Sequence, residues 1–124
     1  METPLKLTKE FHEKFDIYLQ DTPGIIPDEV KQLRINLMQE ELKEVINAMN
    51  DEPLENIAKE LADLVCAIYG TVLSYGMADQ WDDIFGEMTR SNMSKLDTDG
   101  KPIKREDGKI LKSENFSEAN IILK

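Results

Sequence analysis

Apolar residues recur at helical spacing along most of the chain, and turn-forming residues divide this pattern into four segments. Recurrence with a period of about 3.6 residues is the mark of an amphipathic helix. The pattern predicts helices at residues 5–19, 28–50, 54–75 and from 77 or 78 to 95. Because the third segment is apolar on nearly every face, we expect it to be buried on nearly every face, with part of its cover supplied by another subunit.

Capping and breaking residues mark the ends of these segments. Thr3 is a predicted N-cap, and Pro4 follows it at the first helical position, where the missing N–H of proline is not needed. Asp28 is predicted to cap the second helix, Pro53 separates it from the third, and Gly76 ends the third. Short connections of this kind favour antiparallel packing of neighbouring helices.

The last quarter of the chain has no helical pattern. Residues 101–103 and 109–111 are short extended pieces on either side of an Asp-Gly turn, which predicts a small hairpin. Together the elements predict an all-α, four-helix bundle in one domain of 124 residues. Its helical core is expected at about residues 5–96, and a basic C-terminal segment at about 97–124.

The composition is that of an ordinary globular protein, with 40% hydrophobic and 32% charged residues. A net charge of −10 disfavours duplex nucleic acid and anionic membrane surfaces as partners. This charge does not exclude a nucleotide, because clustered carboxylates can hold Mg²⁺, which in turn binds phosphate.

Cysteine use and hydropathy favour a reducing compartment. Cys66 is the only cysteine, so we expect neither a disulfide framework nor a Cys/His zinc site, and we interpret it as a small buried hydrophobe. No apolar stretch approaches the roughly 18 residues of a membrane span, and the first residues lack the pattern of a signal peptide. We therefore expect a cytoplasmic protein that contacts no membrane.

Two pairs of acids stand three residues apart on neighbouring predicted helices: Glu41 with Glu44, and Glu60 with Asp63. Side chains at this spacing are neighbours on a helix surface. On a helical wheel, both pairs fall on the same rotational side of the apolar stripe of their helix. If the helices pack antiparallel through these stripes, all four carboxylates meet at the edge of the core. Such a group of hard oxygen ligands suits Mg²⁺ or Mn²⁺, and the alternative is an ordinary solvated acidic face.

These acids resemble the signature of a known superfamily. The pattern Glu40-Glu41-x-x-Glu44, followed on the next helix by Glu60-x-x-Asp63, is similar to that of the MazG-like all-α nucleoside triphosphate pyrophosphohydrolases. This superfamily also includes dimeric dUTPases and phosphoribosyl-ATP pyrophosphohydrolase.

The resemblance extends beyond the acids. Residues 90–95, with the turns at 99–102 and 108–109, resemble the C-terminal part of MazG-like proteins, and the likeness runs from the first helix through Phe116. It implies a four-helix fold that is completed by a homodimer or a homotetramer.

The resemblance also implies the reaction and the residues that perform it. Water attacks the α-phosphorus of a nucleoside triphosphate, and pyrophosphate leaves. Mg²⁺ is bound by four carboxylates, and Mn²⁺ is a substitute; the implied ligands are Glu41, Glu44, Glu60 and Asp63. The implied catalytic group is Glu40, Glu41 and Glu44, in which Glu40 supports the ligands or activates water.

Phosphate binding needs positive charge, which an acidic helical body does not offer. The nearest concentration of positive charge follows the fourth helix, so we predict Asn92, Lys95 and Lys109 as phosphate or sugar contacts. Arg34 stands about two turns before Glu41 on nearly the same face, where it could contact substrate or form an ion pair with the acids, and we favour the ion pair.

Other residues have weaker claims to a functional role. His12, the only histidine, has no nearby nucleophile and is interpreted as structural. Trp81 fits the apolar stripe of the fourth helix better than a base-stacking role. Tyr18, Ile25 and Ile26 are suggested to line a base pocket.

Two alternative functions remain open at this stage. Phosphoribosyl-ATP pyrophosphohydrolase of histidine biosynthesis splits the same kind of phosphoanhydride within the same fold. A non-catalytic acidic helical oligomerisation module is the alternative from another class, and it predicts no metal dependence. The main hypothesis is hydrolysis of a (deoxy)nucleoside triphosphate as nucleotide-pool housekeeping.

Overall fold

The computed structural model describes residues 3–124, and within them four α-helices, one short 3₁₀ helix and one two-stranded hairpin. The predicted all-α fold with a small C-terminal hairpin is confirmed. The elements are α1 (Pro4–Lys14), α2 (Asp28–Asp51), α3 (Leu54–Ser74), the 3₁₀ helix (Ala78–Gln80), α4 (Trp81–Met93), β1 (Ile103–Lys104) and β2 (Ile110–Leu111).

The chain divides into two compact units, the first ending at Asp79 and the second comprising Gln80–Lys124. In the first unit, α3 packs against both α1 and α2. Along α2 and α3, contacts pair Arg34 with Ala67 and, further on, Glu44 with Glu60. Increasing residue numbers along α2 therefore pair with decreasing residue numbers along α3. The two helices are antiparallel, as predicted.

The apolar core of the first unit is small. Its buried hydrophobic residues are Ile26, Val45, Ala48, Ala67, Val72 and Leu73. Many large apolar side chains of the same unit stay exposed, including the stripe Leu42, Ile46 and Met49 on α2. The prediction that Cys66 is buried is wrong, because the cysteine lies on an exposed face of α3.

Helix α1 begins as predicted but ends earlier. The Thr3 hydroxyl accepts a hydrogen bond from Lys6 N at 3.2 Å and caps the helix. The predicted end near residue 19 is wrong, since α1 stops at Lys14 and Asp16 has a φ of +54°. This left-handed residue redirects the chain away from the helix axis.

The segment after α1 bonds to the end of α3 instead of continuing a helix. Ser74 Oγ donates to the Tyr18 carbonyl at 3.2 Å, and Gln20 N donates to the Leu73 carbonyl at 3.3 Å. Ile26 of this loop is buried, whereas Ile25 is 95% exposed. Tertiary hydrogen bonds therefore replace the helical ones that periodicity predicts.

Two further helix starts differ from the prediction. Asp28 opens α2 but forms no side-chain capping bond, because the N-cap position belongs to Pro27. A 3₁₀ turn occupies residues 78–80, so α4 begins only at Trp81. No single helix within residues 3–124 is long and apolar enough to cross a membrane.

In the second unit, the C-terminal segment 117–124 runs along α4 and is held mainly through its backbone. Ser91 Oγ donates to the Ser117 carbonyl at 2.9 Å, and Glu87 accepts from Asn120 N at 2.7 Å. At the far end, Lys124 N donates to Gln80 Oε1 at 2.8 Å.

The remaining elements of the second unit are short. Strands β1 and β2 pair antiparallel around the predicted Asp-Gly turn, with Ile103 opposite Leu111. On α4, Trp81 is half-buried against Phe85, with ring centroids 6.3 Å apart. Phe85 itself is 61% exposed.

Gly76 provides a test of this fold. It adopts a φ of +74°, and a Cβ there would overlap the backbone carbonyl of Thr22. Gly108 adopts a φ of +90° in open space, so an added Cβ meets nothing. We expect Gly108→Ala to lower the free energy of unfolding by about 1–2 kcal/mol through strain alone. We expect Gly76→Ala to lower it by at least about 3 kcal/mol, because strain and overlap combine. Urea denaturation followed by circular dichroism measures both, and equal losses would contradict the packing described for Gly76.

Candidate active site

Three acids from two helices converge at one end of the α2–α3 interface. One carboxylate oxygen each from Glu41, Glu60 and Asp63 lies within 4.8 Å of the other two. A side-chain hydrogen bond joins Glu44 to Glu60, which brings the fourth acid into the same group. We call these four residues the acid cluster. Their convergence follows from the spacing of each pair and from the antiparallel packing of the helices.

The negative charges of the acid cluster lie in an unfavourable environment. Glu41 Oε2 and Glu60 Oε2 are buried and have no hydrogen-bond partner among residues 3–124. Burial raises the pKa of Glu41, and the charges of Glu44 and Asp63 raise it further. The hydrogen bond with Glu44 raises the pKa of Glu60, as do burial and the neighbouring carboxylates. The cluster therefore favours the binding of a proton or a cation.

The residues of the acid cluster fit a divalent metal ion. They offer carboxylate oxygens only, the donors that Mg²⁺ and Mn²⁺ prefer. The two orphaned oxygens supply a physical reason for a cation to bind here, because a buried acceptor without a partner is costly. Exposed acids occur widely without a metal, and Asp63 is exposed, so the assignment of these four residues as metal ligands stays a prediction.

A cavity of about 810 Å³ opens between α1, α2 and α3. Glu41 and Asp63 line it, so a ligand in the cavity contacts the acid cluster. Most of its walls are apolar: Leu7, Phe11, Ile17, Leu37, Ala62, Val65, Cys66 and Ala67 contribute to them. A volume of this size and largely apolar walls are typical of small-molecule sites.

The suggested base-pocket residues do not form this cavity. Tyr18, Ile25 and Ile26 are not among the residues that line it, and Ile17 is the lining residue from that stretch of chain. Apart from Ile17, the cavity is built from helix faces, because the rest of the loop bonds to the C-terminal end of α3.

Arg34 is a buried cation of the cavity wall, with only 5% of its surface exposed. Its Nη2 donates to the Ala67 carbonyl at 2.9 Å, and its Nε donates to Thr71 Oγ1 at 3.3 Å. The interpretation of Arg34 as an ion-pair partner of the acids is wrong, since no carboxylate lies within ion-pair distance of it among residues 3–124. Arg34 instead joins α2 to the backbone of α3.

His12 lies beside Arg34 and is 2% exposed. Burial lowers the pKa of His12, the nearby Arg34 charge lowers it further, and a hydrogen bond with the Tyr18 backbone acts in the opposite sense. The ring is therefore neutral near neutral pH, and Arg34 carries the positive charge of this part of the wall.

The absence of a side chain at Gly70 leaves room for Arg34 and His12 against α3. A Cβ at residue 70 would overlap Arg34 Nη2 and lie 2.8 Å from both Arg34 Cζ and His12 Nε2. Sequence reasoning missed Gly70 and the hydroxyl of Thr71. A glycine inside an otherwise apolar helix is the signal that could have found the site, because such a glycine weakens the helix unless close packing requires it.

The predicted phosphate contacts all lie in the second unit. Asn92 is exposed near the end of α4, and half-buried Lys95 follows the helix, with its N–H donating to the Asn92 carbonyl at 3.1 Å. Lys109 is exposed in the hairpin, where Asp107 Oδ1 accepts from its N–H at 3.2 Å. Contact of these three side chains with substrate stays a prediction.

Comparison with known proteins identifies the family. A family model described as phosphoribosyl-ATP pyrophosphohydrolase matches residues 8–92, which is more than half of the chain and includes the whole acid cluster. The chain belongs to the phosphoribosyl-ATP pyrophosphohydrolase family. A search of curated proteins found no significant match.

Family membership defines the class of enzyme. The chain is a pyrophosphohydrolase, a hydrolase that acts on acid anhydrides of a nucleotide-like substrate. This agrees with the superfamily resemblance of the acid pattern. The match ends at Asn92, so Lys95 and Lys109 lie outside the matched region.

The pH dependence of stability tests the acid cluster. A carboxyl group with a raised pKa binds its proton more tightly in the folded state. In the absence of metal, stability therefore rises as pH falls toward the ordinary value of 4.5 and is lost as pH rises through the shifted pKa. We expect Glu60→Gln to raise the melting temperature by several degrees at pH 7 in EDTA, with a difference that shrinks on acidification. Glu13→Gln, which removes an exposed acid of α1, is the control and should change little. A melting temperature of Glu60→Gln equal to that of wild type at pH 7 would contradict the destabilisation that we assign to the charged Glu60 carboxylate.

Proposed function

We propose that this protein catalyses the Mg²⁺-dependent hydrolysis of a (deoxy)nucleoside triphosphate to a nucleoside monophosphate and pyrophosphate. The observation that carries the proposal is the acid cluster, with two orphaned oxygens, at the wall of a cavity of nucleotide size. Membership of a pyrophosphohydrolase family supports the same chemistry.

Glu41, Glu44, Glu60 and Asp63 would hold Mg²⁺, with Mn²⁺ as a substitute. The bound ion would supply positive charge that offsets the phosphate charges. Without it the acid cluster would repel a triphosphate, so metal and substrate are expected to bind together.

The protein's own side chains would orient and deprotonate the attacking water. Glu40 is exposed beside Glu41, and its charge contributes to the raised pKa of Glu41. We assign Glu40 to the acceptance of a proton from water, with Glu41 and Glu44 completing the catalytic group. The water oxygen bonds to the α-phosphorus, the bond from that phosphorus to the bridging oxygen breaks, and pyrophosphate departs with the electron pair.

Asn92, Lys95 and Lys109 are proposed as contacts to the phosphates or the sugar. Hydrogen bonds already fix the backbone near Lys109, since Asp107 accepts from its N–H and Arg105 pairs with Asp107. A lysine on a preformed turn loses less freedom when it binds an anion.

Phosphoribosyl-ATP is the second candidate substrate, and the description of the matched family favours it. Its hydrolysis breaks the same α–β phosphoanhydride, so the acid cluster serves both reactions. A non-catalytic oligomerisation module is a weaker alternative, because it gives no reason for orphaned oxygens beside a cavity.

We also propose that the protein is a cytoplasmic homodimer or homotetramer that works in nucleotide-pool housekeeping without binding nucleic acid or membrane. The support for self-association is the exposed apolar surface of the first unit. Leu42, Ile46 and Met49 form one stripe on α2 and are 48%, 50% and 66% exposed. Continuous apolar stripes of this kind mark contact surfaces.

Pyrophosphate release tests the proposed reaction. We expect wild type to release pyrophosphate, and not orthophosphate, from at least one member of a panel of NTPs, dNTPs, dUTP and phosphoribosyl-ATP, with Mg²⁺ but not with EDTA. Glu41→Gln should lower kcat/KM by at least about 100-fold, since it removes a charged ligand, while the exposed control Glu13→Gln should leave it unchanged. No release from any substrate, with no effect of Mg²⁺ on melting temperature, would favour the non-catalytic module.

Sedimentation tests self-association. We expect wild type to sediment as a dimer or tetramer and Ile46→Arg to shift toward the monomer, because a desolvated charge in an apolar contact is costly. Ile122→Arg changes a residue that is 66% exposed in the second unit and should sediment as wild type does. A monomeric wild type at micromolar concentration would refute the assembly.

A further inference from the structure

The cavity wall contains a cation with spare hydrogen-bond donors. Arg34 Nε and Nη2 are occupied by Thr71 and Ala67, whereas Nη1 has no partner within residues 3–124. Unlike His12 Nδ1, Nη1 is not sealed from solvent. Because Arg34 lines the cavity and is 5% exposed, Nη1 is the part of the side chain within reach of a ligand there.

We propose that Arg34 is a specificity-determining residue that donates a hydrogen bond to a carbonyl oxygen of the nucleobase. The inference rests on the proposed function in that it takes the ligand of the cavity to be a nucleotide. It selects bases that carry a carbonyl, such as uracil, thymine, cytosine, guanine and hypoxanthine, over adenine, which has none.

The spacing between Arg34 and the acid cluster suits a nucleotide. Arg34 precedes Glu41 by two turns of α2, or about 10 Å along the helix axis. This distance is comparable to the reach from an α-phosphate across the ribose to the far edge of a base. A nucleotide whose phosphates lie at the acid cluster therefore brings its base to Arg34.

The chemistry of the wall favours a neutral carbonyl over a second phosphate at Arg34. Neighbouring surfaces are apolar, including Leu37 and Val65, and they would desolvate an anion without replacing its hydration. His12 is neutral, so a phosphate would meet a single positive charge. A carbonyl oxygen needs only one donor, and a hydrogen bond from a charged group to it is stronger than one from a neutral group.

The rigidity of Arg34 makes it selective. Its two bonds to α3 and the close fit against Gly70 fix the guanidinium, so Nη1 cannot easily move to another acceptor. A base without a carbonyl covers Nη1 and excludes water from it without accepting its hydrogen bond, which is the arrangement that gives the largest discrimination.

Inosine and adenosine form a matched pair of probes, because one has a carbonyl where the other has an amino group. We expect calorimetry in EDTA to show that wild type binds inosine and uridine at least about 10-fold more tightly than adenosine. Nucleosides carry no phosphate, so this binding is independent of Mg²⁺ and of hydrolysis. Loss of pyrophosphate release with inosine selectivity intact would therefore count against the proposed reaction and support the role of Arg34.

Three variants separate recognition from stability. Arg34→Met should reduce the inosine-to-adenosine ratio to within about 3-fold. Gly70→Ala should act in the same direction, because the added methyl displaces the guanidinium while its charge is kept. Thr71→Val removes the acceptor of Nε and the hydroxyl that donates to the Ala67 carbonyl, but it leaves the shorter Nη2 bond and the fit against Gly70, so it should retain the ratio. Circular dichroism and melting establish that each variant is folded.

Equal binding of inosine and adenosine by wild type would overturn the proposal. A ratio that survives in folded Arg34→Met or Gly70→Ala would do the same. Phosphoribosyl-ATP carries a phosphoribosyl group on its adenine, so Arg34-dependent binding of this compound, without any preference for inosine, would instead assign Arg34 to the phosphate of that group and refute recognition of a carbonyl.

Discussion

Mutual repulsion among four carboxyl groups is the constraint on which the rest of the site depends. Their helices pack antiparallel, Val45 and Ala48 of α2 and Ala67 of α3 are buried, and Arg34 hydrogen-bonds across the interface to the Ala67 carbonyl. The apolar contacts and this bond offset a repulsion that would otherwise separate the helices. Burial raises the pKa of Glu41, the hydrogen bond with Glu44 raises that of Glu60, and repulsion between the carboxylates raises both further, so folding prepares the site to exchange protons for a metal ion.

The missing side chain at Gly70 connects the packing of the helices to the shape of the cavity. Without a Cβ there, Arg34 and His12 lie directly against the α3 backbone, and the cavity keeps its volume beside them. The small buried core and the exposed apolar stripes indicate that one chain buries little of its own apolar surface. Binding of a ligand in the cavity and association with a second copy would therefore each remove exposed apolar surface of the first unit from water.

Much of the fold could be predicted because the signals are local. Helix periodicity located α2 and α3, and the spacing of the acids with the short connection at Pro53 was enough to bring Glu41 and Asp63 together. The end of α1 could not be predicted, because residues 15–19 continue the apolar pattern and are diverted by hydrogen bonds to α3. The partner of Arg34 was also beyond sequence reasoning, since a backbone carbonyl leaves no mark in a sequence.

The hydrogen bonds that hold residues 117–124 have a consequence for the evolution of this segment. Side chains of α4 bind the main chain of this segment at Ser117 and Asn120, and the side chain of Gln80, just before α4, binds it at Lys124. The bonds described above do not involve the side chains of Asn120 or Lys124. These bonds therefore hold the segment without depending on which side chains it carries. Many substitutions along the segment can accumulate without changing its path. Proline at position 120 or 124 is the exception, because it removes the N–H that donates to Glu87 or Gln80.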